Sequence, residues 1–240
     1  MPMVLLRSLI ALFGICAIAW AITALRIYTR DAPFAETAKA ALSGEKFGDR
    51  RLAMIKSQLD DRQADLVEAS ARDGAAILRM ILVESQLRDG KGEISYADYD
   101  QLRASIREAI DRSPTNSFMW LAAFWQQRLR GEATEKDWDL LRMSYWAGPR
   151  EAWIAVKRNP LTLALPEPTG DQFLGLALSE FTGLVRSGLY WEAAGIFEAV
   201  PTARKLLLNR MMTVDVGDRR AFARALKSKD IEDVVIPGVD

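Results

Sequence analysis

The sequence predicts an all-α fold in which an N-terminal transmembrane helix precedes a set of antiparallel helix hairpins. Three observations carry that expectation. Residues Ser8 to Leu25 hold no charge, and Met3 to Leu25 is interrupted only by Arg7. After Arg26, apolar residues recur at helical spacing in segments of roughly 10 to 20 residues separated by turn signals. Strand-like patterning does not occur until the tail Val234-Val235-Ile236.

The apolar run comes first. Its 18 uncharged residues, at a rise of about 1.5 Å each, span about 27 Å, close to the hydrocarbon thickness of a bilayer. Arg7 is placed to snorkel at one edge, and Arg26, Tyr28 and Arg30 have the composition of an interfacial anchor at the other. The rival reading is a cleaved signal peptide, with Arg7 as its charged start and Ala19-Trp20-Ala21 as a poor cleavage site. The bulk of Trp20 and the length of the run favour an uncleaved anchor over residues 1–30, with the span at about 8–25. Orientation signals oppose one another. Arg26, Arg30 and Lys39 after the span favour a cytoplasmic domain by the positive-inside rule. The signal-like order of charge, apolar run and small residues favours the opposite side.

Residues 31–230 form the helical domain, and 231–240 a tail. Pro33 to Leu42 predicts a short helix ended by Gly44. Arg50 to Asp60 places Leu52, Ile55 and Leu59 on one face. Leu66 to Leu87 is the longest segment, with Ile77, Leu78, Ile81 and Leu82 at helical spacing and a break expected near Gly74. Ser95 to Asp111 carries the stripe Tyr99, Leu102, Ile106 and Ile110. Asn116 to Arg130, Thr134 to Trp146 and Glu151 to Leu165 follow. Pro166-Glu167-Pro168-Thr169-Gly170 is the clearest loop. Asp171 to Ser187, Tyr190 to Val200, Thr202 to Met212 and Asp218 to Lys227 complete the series.

Composition removes most chemistry. A chain of 240 residues has room for one or two domains with a sizeable core. Basic and acidic residues number 32 each, so the bias of a dedicated nucleic-acid binder is missing. With Arg7 set aside, 31 basic residues face 32 acidic ones after the span, a net of −1 and no polybasic lipid-binding surface. The absence of histidine excludes every triad, metal cage and proton shuttle that needs imidazole. The one cysteine, Cys16, lies in the apolar run, which excludes disulfide frameworks and cysteine zinc sites. No G-x-S-x-G, P-loop or G-x-G-x-x-G element occurs, so hydrolase, nucleoside-triphosphatase and dinucleotide readings lack support and no cofactor is expected.

Two segments imitate functional motifs. Asp89 to Asp98 resembles the back of an EF-hand loop, with Asp89, Gly92, Ile94 and Asp98 in register. Its front fails, because Leu87 offers no oxygen and Lys91 places a cation where a ligand belongs. Gly90 and Gly92 ending one helix, and a Ser95–Asp98 capping box opening the next, explain the same residues without a metal. Leu82-Val83-Glu84-Ser85 resembles the Glu-Ser pair of lytic transglycosylases, where a buried glutamic acid protonates a glycosidic oxygen. The downstream Gly-Leu-Met-Gln element of that family and its aromatic groove motif are absent. Glu84 therefore reads as a solvated helix residue, and the chain as a non-enzyme, with a glycan-processing enzyme using Glu84 as the alternative.

The hairpins show a weak repeat. Pro114 and Pro149 lie 35 residues apart, and each closes one helix and opens another. Trp120 follows Pro114 by six residues, and Gly131 marks the next turn. Gly188, Tyr190, Ala193 and Phe197 have the turn-glycine, aromatic, small, aromatic order of a second hairpin helix. Together these residues resemble a degenerate tetratricopeptide repeat over residues 95 to 200. Phe124 and Lys136 depart from its small positions, and Trp153 is off register.

Five of the seven tryptophans, Trp120, Trp125, Trp138, Trp146 and Trp153, interleave with Arg128, Arg130, Arg142, Arg150, Lys157 and Arg158. Trp120, Phe124 and Trp138 fit core packing. Trp125, Arg128, Trp146 and Arg150 are the candidate partner-binding residues, because an exposed tryptophan beside arginines has the composition of a binding hot spot. They would hold a protein partner or, on the alternative reading, a glycan.

The stretches Ser113-Pro114 to Trp120-Leu121-Ala122, Leu141 to Ser144, and Gly148-Pro149-Arg150-Glu151-Ala152-Trp153 are similar to small single-pass helical proteins of bacterial exopolysaccharide and O-antigen loci. The resemblance covers about the middle third of the chain and brings no catalytic residue with it. It implies a bacterial inner-membrane adaptor or scaffold, accessory to polysaccharide synthesis or export, whose partner belongs to that machinery. A periplasmic position of the helical domain is the expectation.

Overall fold

A computed structural model of the chain describes residues 2–62, 65–88, 94–129, 131, 135–165 and 171–239. Among these, the fold is eleven α-helices without a strand: α1 (Pro2–Leu42), α2 (Asp49–Arg62), α3 (Ala69–Arg88), α4 (Tyr96–Arg112), α5 (Ser117–Arg128), α6 (Glu135–Ala147), α7 (Ala152–Leu163), α8 (Asp171–Arg186), α9 (Tyr190–Ala199), α10 (Arg204–Met211) and α11 (Val216–Lys227). A 3-10 turn, Pro201–Ala203, leads into α10. The Pro166–Gly170 loop and the front of the EF-like segment, Asp89 to Glu93, lie outside the described residues, as does Arg130. The chain divides into two compact units, Met1–Leu140 and Leu141–Asp240, with the boundary inside α6.

In the first unit the apolar run and the first helix of the folded domain are one helix. The expected separate helix from Pro33 to Leu42 is corrected: Pro33 lies inside α1. An interior proline removes a backbone donor and costs about 3 kcal/mol, so contacts around it must offset that. Asp31, Phe34 and Ala38 recur at i, i+3 and i+7, and all three are buried, in a helix that packs mainly on α3. The Asp31 carboxylate accepts from the backbone N–H of Val67 at 2.9 Å and of Glu68 at 3.3 Å, just ahead of α3, and from Arg30 Nε at 2.7 Å. Arg30 also donates to the Asp65 carbonyl at 2.6 Å. Those bonds satisfy donors at the start of α3 that have no intrahelical partner, and they latch α1 to the domain two residues before the proline.

Gly74 is not a break. It lies in mid-α3, where α1 crosses so closely that a Cβ would meet the Phe34 carbonyl oxygen at 2.7 Å. Small residues on that face, Ala71, Gly74 and Ala75, let the two backbones touch. On its other sides α3 packs α4 and α2. Tyr99, Leu102 and Ile106 of α4 are buried as the stripe predicts, while Ala109 takes the buried place expected of Ile110, which is half-buried. The end of α4 therefore turns a smaller residue to the core.

In the second unit, α8 and α9 form a hairpin closed by Gly188. Its φ of +78° places it in the left-handed region, Leu189 N–H reaches Leu184 O at 3.0 Å, and Gly188 N–H reaches Val185 O at 3.1 Å. This is a Schellman termination, which glycine satisfies without strain. Ala193 and Phe197 are fully buried beneath it, and Phe222 packs edge-on against both Phe197 and Phe181. The tail does not extend as a strand. Ile236 inserts into this core and Arg219 holds the Pro237 carbonyl, while Val235 is exposed.

Candidate functional site

The helix-opening residues set the positions of the candidate side chains. Asn116 caps α5, its Oδ1 accepting from Phe118 N–H at 3.1 Å, and its Nδ2 donates to Asp73 of α3 at 2.7 Å. On α5, Phe124 is fully buried and packs on Trp138 with ring centroids 5.7 Å apart. Trp120 is corrected from core to half-buried. Its indole N–H donates to the Pro114 carbonyl at 2.7 Å, which holds the ring along the start of the helix. Trp125 and Arg128 are half-buried, and the Arg128 guanidinium lies 5.9 Å from the Phe124 ring centroid. Trp146 and Arg150 belong to the second unit and are exposed, Trp146 at 71%.

The second unit also holds an arrangement that the sequence reading missed. Arg158, read as one of the basic residues among the tryptophans, is fully buried, the largest such side chain in the fold. Burial of a guanidinium requires that its donors and its charge be met. Nη1 donates to the Ser144 carbonyl at 2.5 Å and hydroxyl at 3.0 Å, and Nη2 to the Gly148 carbonyl at 3.0 Å. Nε and Nη2 both reach Glu180 Oε1, the former at 3.1 Å. The face of the guanidinium lies 4.0 Å from the centroid of Tyr145. Helices α6, α7 and α8 are thus tied at one charged centre. Burial and the nearby Glu180 carboxylate raise the Tyr145 phenol above its ordinary value. It remains a neutral donor to Thr162 Oγ1, at 3.2 Å.

Over this centre opens a cleft of about 430 Å³. Tyr145 and Glu180 form part of its wall, and Pro149, Ala152, Leu176 and Leu184 supply apolar surface. Arg150 and Arg186, both exposed, add two guanidinium groups. Glu180 is the one acid in that wall; its side chain is 8% exposed, and its Oε2 is buried without a hydrogen-bond partner. Arg150 was legible from its setting in Gly148-Pro149-Arg150-Glu151. The Arg158–Glu180 pair was not, because no spacing rule links residues 22 apart on separate helices.

The two imitations take ordinary places. Glu84 is exposed on α3, and the Ser85 hydroxyl donates to Leu82 O of its own helix at 2.8 Å. Ser95 caps α4 by accepting from Asp98 N–H at 3.0 Å. The Asp98 carboxylate accepts from Ser95 Oγ at 3.0 Å, Gln86 at 3.1 Å and the Lys56 ammonium, joining α2, α3 and α4. Among the described residues, no three Asp, Glu or Cys side chains are grouped to hold a metal ion. No family model, curated protein or solved structure matches the chain.

Proposed function

We propose that the chain is a single-pass membrane adaptor that holds a helical protein-binding domain against a bilayer surface. The observation that carries this reading is the continuity of α1. Among the described residues one helix is long and apolar enough to cross a membrane, with mean hydropathy 2.3 over its most apolar window. The apolar run is not used for packing, since Phe13 is 75% exposed and Trp20 74%. The same helix then enters the fold, latched by Arg30 and Asp31. Exposed Trp146 and Trp153 with the exposed guanidinium of Arg150 supply the surface for a partner. On the resemblance to proteins of polysaccharide loci, that partner belongs to the assembly or export machinery, and the domain lies on the periplasmic side of a bacterial inner membrane.

The test combines fractionation with crosslinking in native membranes. The full-length chain should resist extraction by alkaline carbonate, keep its N-terminal mass, and expose the domain to protease only from the periplasmic side. A photo-crosslinking residue at Trp146 should yield one discrete adduct with an envelope protein. A mature N-terminus at Ile22 and release into the soluble fraction would overturn the anchor. An adduct pattern no different from that of a crosslinker on the exposed face of α4 would overturn the adaptor.

A further inference from the structure

We infer that the α6–α8 cleft of the second unit is a receptor for an acidic peptide segment of the adaptor's partner. The inference rests on the adaptor reading and adds the partner's chemistry to it. Charge is the first argument. Several guanidinium groups of the fold sit on acids, as Arg30 does on Asp31, Arg51 on Glu45, Arg72 on Glu108 and Arg79 on Asp60. The two exposed arginines of the cleft do not. Among the described residues Arg150 has no hydrogen-bond or ion-pair partner, and Arg186 donates to the neutral carbonyl and hydroxyl of Thr213, at 2.7 and 3.1 Å. The single acid of the wall, Glu180, is already neutralised by Arg158. The cleft therefore carries two uncompensated positive charges, in a chain whose formal net charge is zero. A cationic ligand is repelled, and an anionic one is attracted over a distance of about a Debye length, 8–10 Å.

Shape and hydrogen bonding narrow the ligand further. Pro149, Ala152, Leu176 and Leu184 offer apolar contact, so the anion carries an apolar body. A volume of about 430 Å³ stands near the small end of ligand clefts and suits a short segment. The Ser179 and Ser187 hydroxyls in the wall give or receive a hydrogen bond. A peptide supplies the carboxylate, the apolar side chain and backbone N–H donors together. A lipid phosphate or a fatty acid supplies the first two but no N–H donor for the wall hydroxyls. Trp146 and Trp153, exposed on the two helices that meet at the Pro149 turn, add stacking surface of the kind that peptide interfaces use.

The probe is a fluorescein-labelled peptide of alternating Leu, Phe, Asp and Glu, titrated by anisotropy against the full chain in nanodiscs of neutral phosphatidylcholine. Saturable binding is expected, weakening as salt rises, and lost when every Asp and Glu of the probe becomes Asn and Gln. Arg150→Glu should weaken it roughly tenfold or more, which is about 1.4 kcal/mol or more. Arg103→Glu, on the exposed face of α4 in the first unit, makes the same charge change and should leave it unchanged. Arg150→Gln gives a variant without reversed charge, with an intermediate loss expected. Equal losses from Arg150→Glu and Arg103→Glu, or no saturable binding at millimolar probe, overturn the inference. Binding of short-chain phosphatidic acid in place of the peptide makes this a lipid site and overturns it as well. If the Trp146 crosslink to an envelope protein persists while the acidic probe fails, the adaptor stands and only the acidic-segment inference falls.

Discussion

Replacing Gly74 by alanine tests the crossing of α1 and α3 with a single methyl group. The added Cβ would lie 2.7 Å from the Phe34 carbonyl oxygen, 2.8 Å from its carbon and 2.9 Å from Ala35 N. All three are backbone atoms, so no rotamer change relieves them. Ordinary contact begins at 3.4 Å, and α1 must therefore withdraw by about 0.7 Å at that point. The withdrawal loosens Phe34 and Ala38 in their seats and strains the bonds from Asp31 to Val67 and Glu68. Overpacking of this kind costs about 1–3 kcal/mol, and the helix preference for alanine over glycine returns about 1 kcal/mol, leaving a net loss of up to about 2 kcal/mol. Gly175→Ala on the exposed face of α8 is the matched control, because nothing lies within 4 Å of its new Cβ. It should gain up to about 1 kcal/mol from propensity alone. Thermal unfolding of the full chain in detergent reads both signs, and amide exchange of residues 31–38 places the Gly74 loss at the crossing. A Gly74→Ala chain that gains stability as the Gly175→Ala control does would refute the close approach.

Three further outcomes follow from other contacts. Arg158→Met leaves the Glu180 carboxylate buried and unpaired and should cost about 3–5 kcal/mol; adding Glu180→Met should recover much of that loss in the same melt, and a double variant no better than the single one would show that the pair is not the cause. For Asp98, burial opposes the charged form, but the Lys56 ammonium and the Gln86 and Ser95 donors outweigh it and hold the carboxyl below its ordinary value. A depressed folded value means that the contribution is complete above the ordinary carboxylate range, about pH 4, and is lost as the pH falls through the lower value; denaturant midpoints between pH 7 and pH 3 should drop less in Asp98→Asn than in the parent. Asp230 ends α11 at φ 58° in the same Schellman geometry that Gly188 provides for α8, so Asp230→Gly should raise the denaturant midpoint by the equivalent of about 0.5 kcal/mol.

Periodicity and turn chemistry made much of the fold legible in the sequence, because those signals are local. The stripe Tyr99, Leu102 and Ile106, the Ser95 cap with Asp98, and the Gly188 turn over Ala193 and Phe197 all recur in the structure. Three of the misses share one cause, that a residue's partner was distant in the chain. Gly74 looks like a break until Phe34 is seen against it, and Pro33 looks like a start until Asp31 is found bonded ahead of α3. Arg158 looks solvated among its basic neighbours until Glu180 and Tyr145 enclose it. Of the candidate binding residues, Arg150 stands on the cleft and Trp146 is exposed in the same unit, whereas Arg128 spends its guanidinium face on Phe124. A one-dimensional pattern ranks residue types; it does not say which two of them will meet.

If α1 crosses a bilayer, as proposed, its continuity has a mechanical consequence. Its 17 residues after Leu25 make a rod about 25 Å long, fastened near its base by Arg30 and Asp31 and along its side to α3. A flexible tether would let the span lean while the domain stayed upright. This lever transmits the lean: a tilt of about 10°, well within the range of single spans, carries Leu42 sideways by about 4 Å. Bilayers of different thickness impose different tilts on the same apolar length. The acyl-chain length of the surrounding lipid thereby acts on the attitude of the first unit without touching it.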